Sequence, residues 1–188
     1  METKTTSSVY PLAMTAVMSA VLCVLCPLAI PIPTTPIRIT LSFFLIFLSL
    51  YLLGWKRGTL SCLIYILLGL VGMPVFSGHA AGVAALAGPT GGYIIGYLPL
   101  AVISGLVIDK SKNRALQAAG MIVGAAVCYA FGTAWFCLQS GKALAYALGA
   151  CVFPFIPADL AKIAAVLSIG PILRRRLEKV GINPAGQL

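Results

Sequence analysis

Residues 72–93 read Gly-Met-Pro-Val-Phe-Ser-Gly-His-Ala-Ala-Gly-Val-Ala-Ala-Leu-Ala-Gly-Pro-Thr-Gly-Gly-Tyr, so that six glycines and two prolines punctuate small apolar residues around one histidine. Glycine admits backbone shapes that a Cβ forbids, and it lets backbone come close to a ligand. Proline removes a donor and stops a helix. The stretch is therefore expected to be irregular backbone, yet long apolar segments flank it. Lipid cannot satisfy bare N–H and C=O groups, so irregular backbone at membrane depth is covered by protein or lines a cavity. A re-entrant or capping loop over a small-molecule site is the reading that follows. A plain turn between two membrane helices is the simpler alternative, but such a turn needs only a few residues.

Composition agrees with a membrane setting. The chain has 188 residues, 60% of them hydrophobic and only 9% charged, whereas charged residues make up about a quarter of a soluble domain. One six-helix membrane domain over residues 1–188 is expected, with short tails at about 1–9 and 177–188. The net charge of +9 would suit nucleic acid if it lay on one face of a soluble domain. Here the basic residues gather instead at the ends of apolar segments, which is a topology signal, and no nucleic-acid partner is expected. The six cysteines lie in or beside apolar runs. Cys23 and Cys26 form a CxxC, but no second pair and no nearby histidine complete a metal site. They read as small hydrophobes, with no metal site and no disulfide framework.

Six apolar segments are expected as helices, at about Tyr10–Leu28, Ile39–Trp55, Thr59–Val75, Gly92–Ile108, Ala115–Leu138 and Leu144–Leu173. The first is longer than a signal-peptide core and further membrane segments follow, so it reads as a retained helix. Pro27, Pro31, Pro33 and Pro36 make a stiff connector after it. The last exceeds the ~20 residues needed to cross a bilayer, and is expected to break near Pro154 and Pro157. Six crossings put both termini on one side with Lys4, Lys56, Arg57, Lys110, Lys112, Arg114, Arg174, Arg175, Arg176 and Lys179. Only Arg38 and Lys142 fall on the other side. This bias places both termini in the cytoplasm, and puts the glycine-rich loop, between helices three and four, outside.

Asp159 is the only acid, and Lys162 the only base, expected well inside the membrane. A lone charge at the bilayer centre costs about 2.5–3.5 kcal/mol on insertion scales. Their i,i+3 spacing lets the two offset each other on one helix face. They read as polar groups of a solute pocket or as an internal ion pair with no ligand role. His79 lies in the expected lid, where a ligand contact and an ordinary polar contact are both open. Arg38 can meet a ligand carboxylate or a lipid phosphate. Ala16 and Ala20 stand four apart, and small residues at that spacing let helices approach closely in lipid, although such pairs also arise by chance in alanine-rich helices. No G-x-x-x-x-G-K-[ST] sequence is present, so any ATP hydrolysis must come from another chain. An intramembrane hydrolase using Asp159 would lack a partner nucleophile, and the chain is not expected to be an enzyme. A self-sufficient secondary carrier of a small vitamin-like solute is the alternative, but carriers commonly show inverted repeats and none is evident.

Three stretches, GMPVFSG at 72–78, LAGPTGGYIIGY at 86–97 and FIPADLAK at 155–162, carry a resemblance. The sequence resembles the BioY family, the biotin-specific S-components of energy-coupling-factor (ECF) transporters, along essentially its whole length. The resemblance implies a substrate-capture subunit in the plasma membrane that needs no cofactor. Its partners would be biotin, the lipid bilayer, a membrane T-component and two ATPases. It implies that Asp159 and Lys162 match the acidic and basic positions of the ligand motif, and that the Ala16/Ala20 face packs on the T-component. Biotin suits those residues: its ureido ring offers two N–H donors and a carbonyl acceptor, while its bicycle and valeryl chain are apolar. An Asp carboxylate can accept from the ureido, and a Lys ammonium can donate to an oxygen. Backbone at Gly78, Gly82, Gly91 and Gly92, with Tyr93, would close around the remainder. The family suggests a polar, often amide, side chain near position 79, from which His79 departs.

Overall fold

The computed structural model describes residues 3–31 and 37–179 along the backbone, and the side chains of residues 10–31, 37–177 and 179. Pro33 and Pro36 of the connector, the side chain of Lys4 and the tail from 180 lie outside the described residues. Seven α-helices and one two-stranded ribbon account for most of the described chain: α1 (Thr3–Leu25), β1 (Ala29–Ile30), β2 (Ile39–Thr40), α2 (Ser42–Val71), α3 (Gly82–Ala87), α4 (Gly91–Lys110), α5 (Arg114–Ser140), α6 (Leu144–Cys151) and α7 (Ile156–Lys179). Four of these, α2, α4, α5 and α7, are long and apolar enough to cross a membrane, and the apolar part of α1 is Tyr10–Leu25.

The polar tail expected before Tyr10 is helical from Thr3. At its other end α1 stops at Leu25, two residues before Pro27, because the residue preceding a proline is pushed out of the α region. Hydroxyls inside α1 find acceptors at once. Thr15 donates to the Pro11 carbonyl at 2.8 Å, and Ser19 donates to Thr15 at 2.9 Å and across to the Ser61 carbonyl at 3.3 Å. The ribbon pairs Ala29 with Thr40 and Ile30 with Ile39, antiparallel.

The second and third expected helices are joined as α2, with one break at Gly54, whose φ of 77° and ψ of 171° are not helical. The chain reverses there. A Cβ on Gly58 would lie 2.8 Å from the Leu50 Cα, whereas eight residues of unbroken helix span about 12 Å. The two arms are therefore antiparallel neighbours. Asp109, at the far end of α4, accepts from the Trp55 N–H at 2.8 Å and covers the turn. The second arm ends at Val71, four residues earlier than expected, and is capped by Gly72. Its left-handed φ of 112° caps the last carbonyls, a geometry glycine adopts freely.

Two further expectations are modified. The glycine-rich stretch is not irregular throughout: a 3-10 turn at Ser77–His79 and the helix α3 interrupt it, the latter built on the helix-forming run Val83–Ala87. The last expected helix does break beside Pro154 and Pro157, into α6 and α7 with a turn at 152–155. Proline is tolerated in the first helical turn, where its missing N–H has no intrahelical partner to lose.

Small residues let α4 and α5 lie close. A Cβ on Gly96 would meet Cys128 at 2.9 Å, one on Gly124 would meet the Ser104 hydroxyl at 2.2 Å, and one on Gly132 would meet the Tyr93 ring at 2.3 Å. In lipid such van der Waals packing carries much of helix association. The buried core runs from Leu22 of α1 and Cys26 just beyond it through Phe47 and Leu50 to Leu100, Met121 and Val166.

Gly54 has a backbone conformation that is essentially glycine-only, and forcing a side chain there costs about 1–3 kcal/mol. Gly54→Ala is expected to lower the melting temperature of the detergent-purified protein by several degrees. Gly149→Ala, where a Cβ meets nothing within 4 Å, is expected to leave it unchanged. Equal behaviour of the two variants in the same melt would contradict the strained hairpin turn.

Candidate functional site

Asp159 lies in the first turn of α7, its N–H donating to the Phe155 carbonyl at 2.9 Å. It is 7% exposed, and a buried carboxylate needs partners. Lys162, one turn on, places its ammonium 2.7 Å from Oδ1. Tyr129, in the middle of α5, donates its hydroxyl to Oδ2. Both carboxylate oxygens are thus engaged, one from the same helix and one from a neighbour.

The pair stands in the wall of a cavity of about 640 Å³ of empty space, counting its open mouth. Phe43 and Tyr65 of α2, Tyr93 and Tyr97 of α4, Tyr129 and Phe155 make the wall strongly aromatic. Phe43 anchors part of it, with ring centroids 6.0 Å from Tyr97 and 5.8 Å from Tyr129. The Tyr93 hydroxyl donates to the Cys151 carbonyl at 3.3 Å, which ties α4 to the end of α6. Polar groups from outside the helices complete the wall: Arg38 and Thr40 beside the ribbon, and Ser77 and Thr90 from the glycine-rich stretch.

Arg38 is exposed, and its guanidinium rests directly on Gly78, where a Cβ would lie 1.3 Å from Nη1. The Gly78 N–H donates to the Pro27 carbonyl at 3.1 Å. The glycine-rich stretch is thereby fastened to the segment after α1.

Of the sequence candidates, Asp159, Lys162, Tyr93 and Arg38 come together in this wall, and Gly78 backs it. His79, Gly82, Gly91 and Gly92 are not brought to it. His79 is exposed and holds a φ of 64°. Gly82 begins α3, with a φ of 71° and nothing within 4 Å of a Cβ position. Gly91 and Gly92 are buried in the first turn of α4, against the Leu86 carbonyl at 1.7 Å and the Trp135 Cβ at 2.3 Å from their Cβ positions. They pack helices rather than form an open lid. Sequence reasoning missed Tyr129 and the Phe43–Tyr97 aromatics. The available signal was a phenol in an apolar helix, because a buried Tyr hydroxyl finds a partner.

The cavity opens at one end of the bundle, with the ribbon, the glycine-rich stretch and the 152–155 turn. Lys56, Arg57, Lys110, Arg114 and Arg174–Arg176 lie towards the other end, where Asp109 meets the α2 turn. Among the described residues no cluster of His, Cys, Asp or Glu suits a metal ion.

Comparison with known proteins places this architecture. Residues 1–179 match the BioY family. The biotin transporter BioY of Thermotoga maritima is 36% identical over 155 residues, covering 82% of this chain and 88% of that protein. Biotin transporter BioY2 of Lactococcus lactis is 33% identical over 174 residues, covering 91% and 93%. The crystal structure of the S-component for biotin from an ECF-type ABC transporter superposes with a TM-score of 0.83 at 31% identity, over 92% of this chain and 94% of that one.

The engaged carboxylate makes a measurable demand. Lys162→Met would strand Asp159, and the loss is expected to reach about 3 kcal/mol, seen as a lower melting temperature. Asp159→Asn combined with Lys162→Met removes both charges and is expected to recover most of that loss. Additive losses in the double variant would show that the two side chains are not coupled.

Proposed function

The chain belongs to the BioY family, and from that premise we propose that it is the substrate-capture subunit of an ECF-type vitamin importer, binding biotin. The observation that carries the reading is the Asp159–Lys162 pair, held by Tyr129 within an aromatic-walled cavity. The wall matches the ligand chemically. Aromatic faces suit the bicycle and valeryl chain, the Asp159 carboxylate accepts a ureido N–H, and the Lys162 ammonium donates to an oxygen. Tyr93 closes one side. Arg38, backed by Gly78, supplies a cation for the ligand carboxylate. His79, Gly82, Gly91 and Gly92 serve at a distance, by shaping the covering segment and packing α4.

In this reading the bundle crosses the plasma membrane six times, through α1, the two arms of α2, α4, α5 and the α6–α7 unit. Both termini lie in the cytoplasm and the glycine-rich segment lies outside. The basic residues towards the end away from the cavity support that orientation. The cavity then meets solute arriving from outside.

The chain carries no phosphate-binding loop of its own, so we assign transport energy to a membrane T-component and two ATPases. Ala16 and Ala20 form the docking face. Both are exposed on α1, while Thr15, Met18, Ser19 and Leu22 of the same helix are buried. Ala20 also lines a shallow apolar groove with Val17, Val21, Val24 and Leu25.

Two measurements test this function. Purified protein is expected to bind biotin, with a biotin mass retained in native mass spectrometry. Asp159→Ala is expected to weaken binding about ten- to a hundredfold, the worth of a hydrogen bond to a charged group. Folded protein that binds no biotin, or binds equally without Asp159 and without Lys162, would remove the assignment. Separately, Ala16→Trp and Ala20→Trp are expected to abolish biotin uptake by the whole transporter while the isolated subunit binds normally, because a bulky side chain holds docking helices apart. Normal uptake in both variants would overturn the docking face.

A further inference from the structure

Asp159 and Tyr129 each border two spaces. Both line the aromatic cavity, and both line a second cleft between α5 and α7 that the apolar side chains Ile122, Ile156, Leu160 and Ile163 enclose. Ile122 and Leu160 are 46% and 47% exposed on helices long enough to span a membrane, so this cleft faces lipid. The hydroxyl–carboxylate bond is thus part of the wall between ligand and hydrocarbon.

The two partners of the carboxylate are unequal. Lys162 sits on the same helix and follows Asp159 wherever α7 moves. Tyr129 sits on α5, thirty residues away, and its ring is held against Phe43. Without the phenol, Oδ2 would keep no hydrogen-bond partner from another helix among the described residues, and the carboxylate would be free to turn to the ammonium with both oxygens. Such rotation would withdraw its free lone pairs from the cavity. An acceptor that is not held in place must be ordered when the ligand binds, at a cost in affinity.

We infer that Tyr129 is a positioning residue for the ligand: its hydroxyl holds the Asp159 carboxylate towards the cavity so that the remaining lone pairs meet a ureido N–H. The inference rests on the biotin reading of this cavity and adds to it a residue that acts through Asp159. Tyr129 need not touch the ligand with its hydroxyl.

The test is a binding cycle on detergent-purified full-length protein: wild type, Tyr129→Phe, Asp159→Asn and the double variant, titrated with biotin. Tyr129→Phe keeps the ring and its packing on Phe43, and is expected to weaken binding about tenfold or more. In the Asp159→Asn background the same change is expected to matter less than about twofold, because there is no carboxylate left to position. Equal losses in both backgrounds would mean that Tyr129 acts as wall alone and would overturn the inference, as would undiminished binding by Tyr129→Phe. Absence of biotin binding by the wild type would instead overturn the function proposed above, and this inference with it. Infrared spectroscopy supplies a readout free of ligand. The chain contains only two aspartates, Asp109 and Asp159, so labelling aspartate with ¹³C leaves Asp109 as an internal constant. Loss of the phenol is expected to shift one carboxylate stretch and leave the other unmoved; two unmoved bands would overturn the inference.

Discussion

A single carboxylate within an apolar helix bundle has to be matched, and the site is arranged around that requirement. An unpaired charge at this depth would cost several kcal/mol. Asp159 meets the demand twice, through Lys162 on its own helix and through Tyr129 on α5. The first partner needs only one helical turn. The second requires α7 to begin beside the middle of α5, which the break at 152–155 allows. Had the last segment run unbroken from Leu144, Asp159 would sit mid-helix, and α6 could not turn back to meet the Tyr93 hydroxyl.

Close packing then decides how precisely the wall is held. Gly96 and Gly132 bring α4 and α5 together, and the Tyr93 ring lies over Gly132 where a side chain would exclude it. The same approach brings Tyr97 and Tyr129 both within ring contact of Phe43. The covering segment is fastened at several points: Phe76 is buried against Tyr65, the Gly78 N–H donates to the Pro27 carbonyl, and the Gly88 and Ala87 carbonyls accept from Trp135 and Gln139 of α5.

Much of this was legible from particular residues. The apolar runs and the scarcity of charge indicate membrane helices, since lipid imposes hydrogen-bond closure on each crossing segment. Pro154 and Pro157 mark where the last segment breaks, because backbone chemistry acts locally. Asp159 and Lys162 announce themselves as partners for the same reason: three residues of helix bring them to one face. The roles of Gly91 and Gly92 were not legible. Their neighbours Leu86 and Trp135 are set by how α4 enters the bundle, and a glycine in a loop and a glycine in a buried first turn look alike in sequence.

By itself, the sequence determined the class of protein, the spacing of its apolar segments and the local acid–base pair, all of which follow from single residues or from one turn of helix. Only the tertiary structure decided that Tyr129, thirty positions from Asp159, completes the carboxylate, that Arg38 lies on Gly78, and that His79 stands clear of the cavity. The reason is geometric. Contacts between segments depend on how each helix is rotated about its own axis and how near its neighbour it can come. Those two quantities are set jointly by glycines and side chains on different helices, so no one stretch of the chain encodes them.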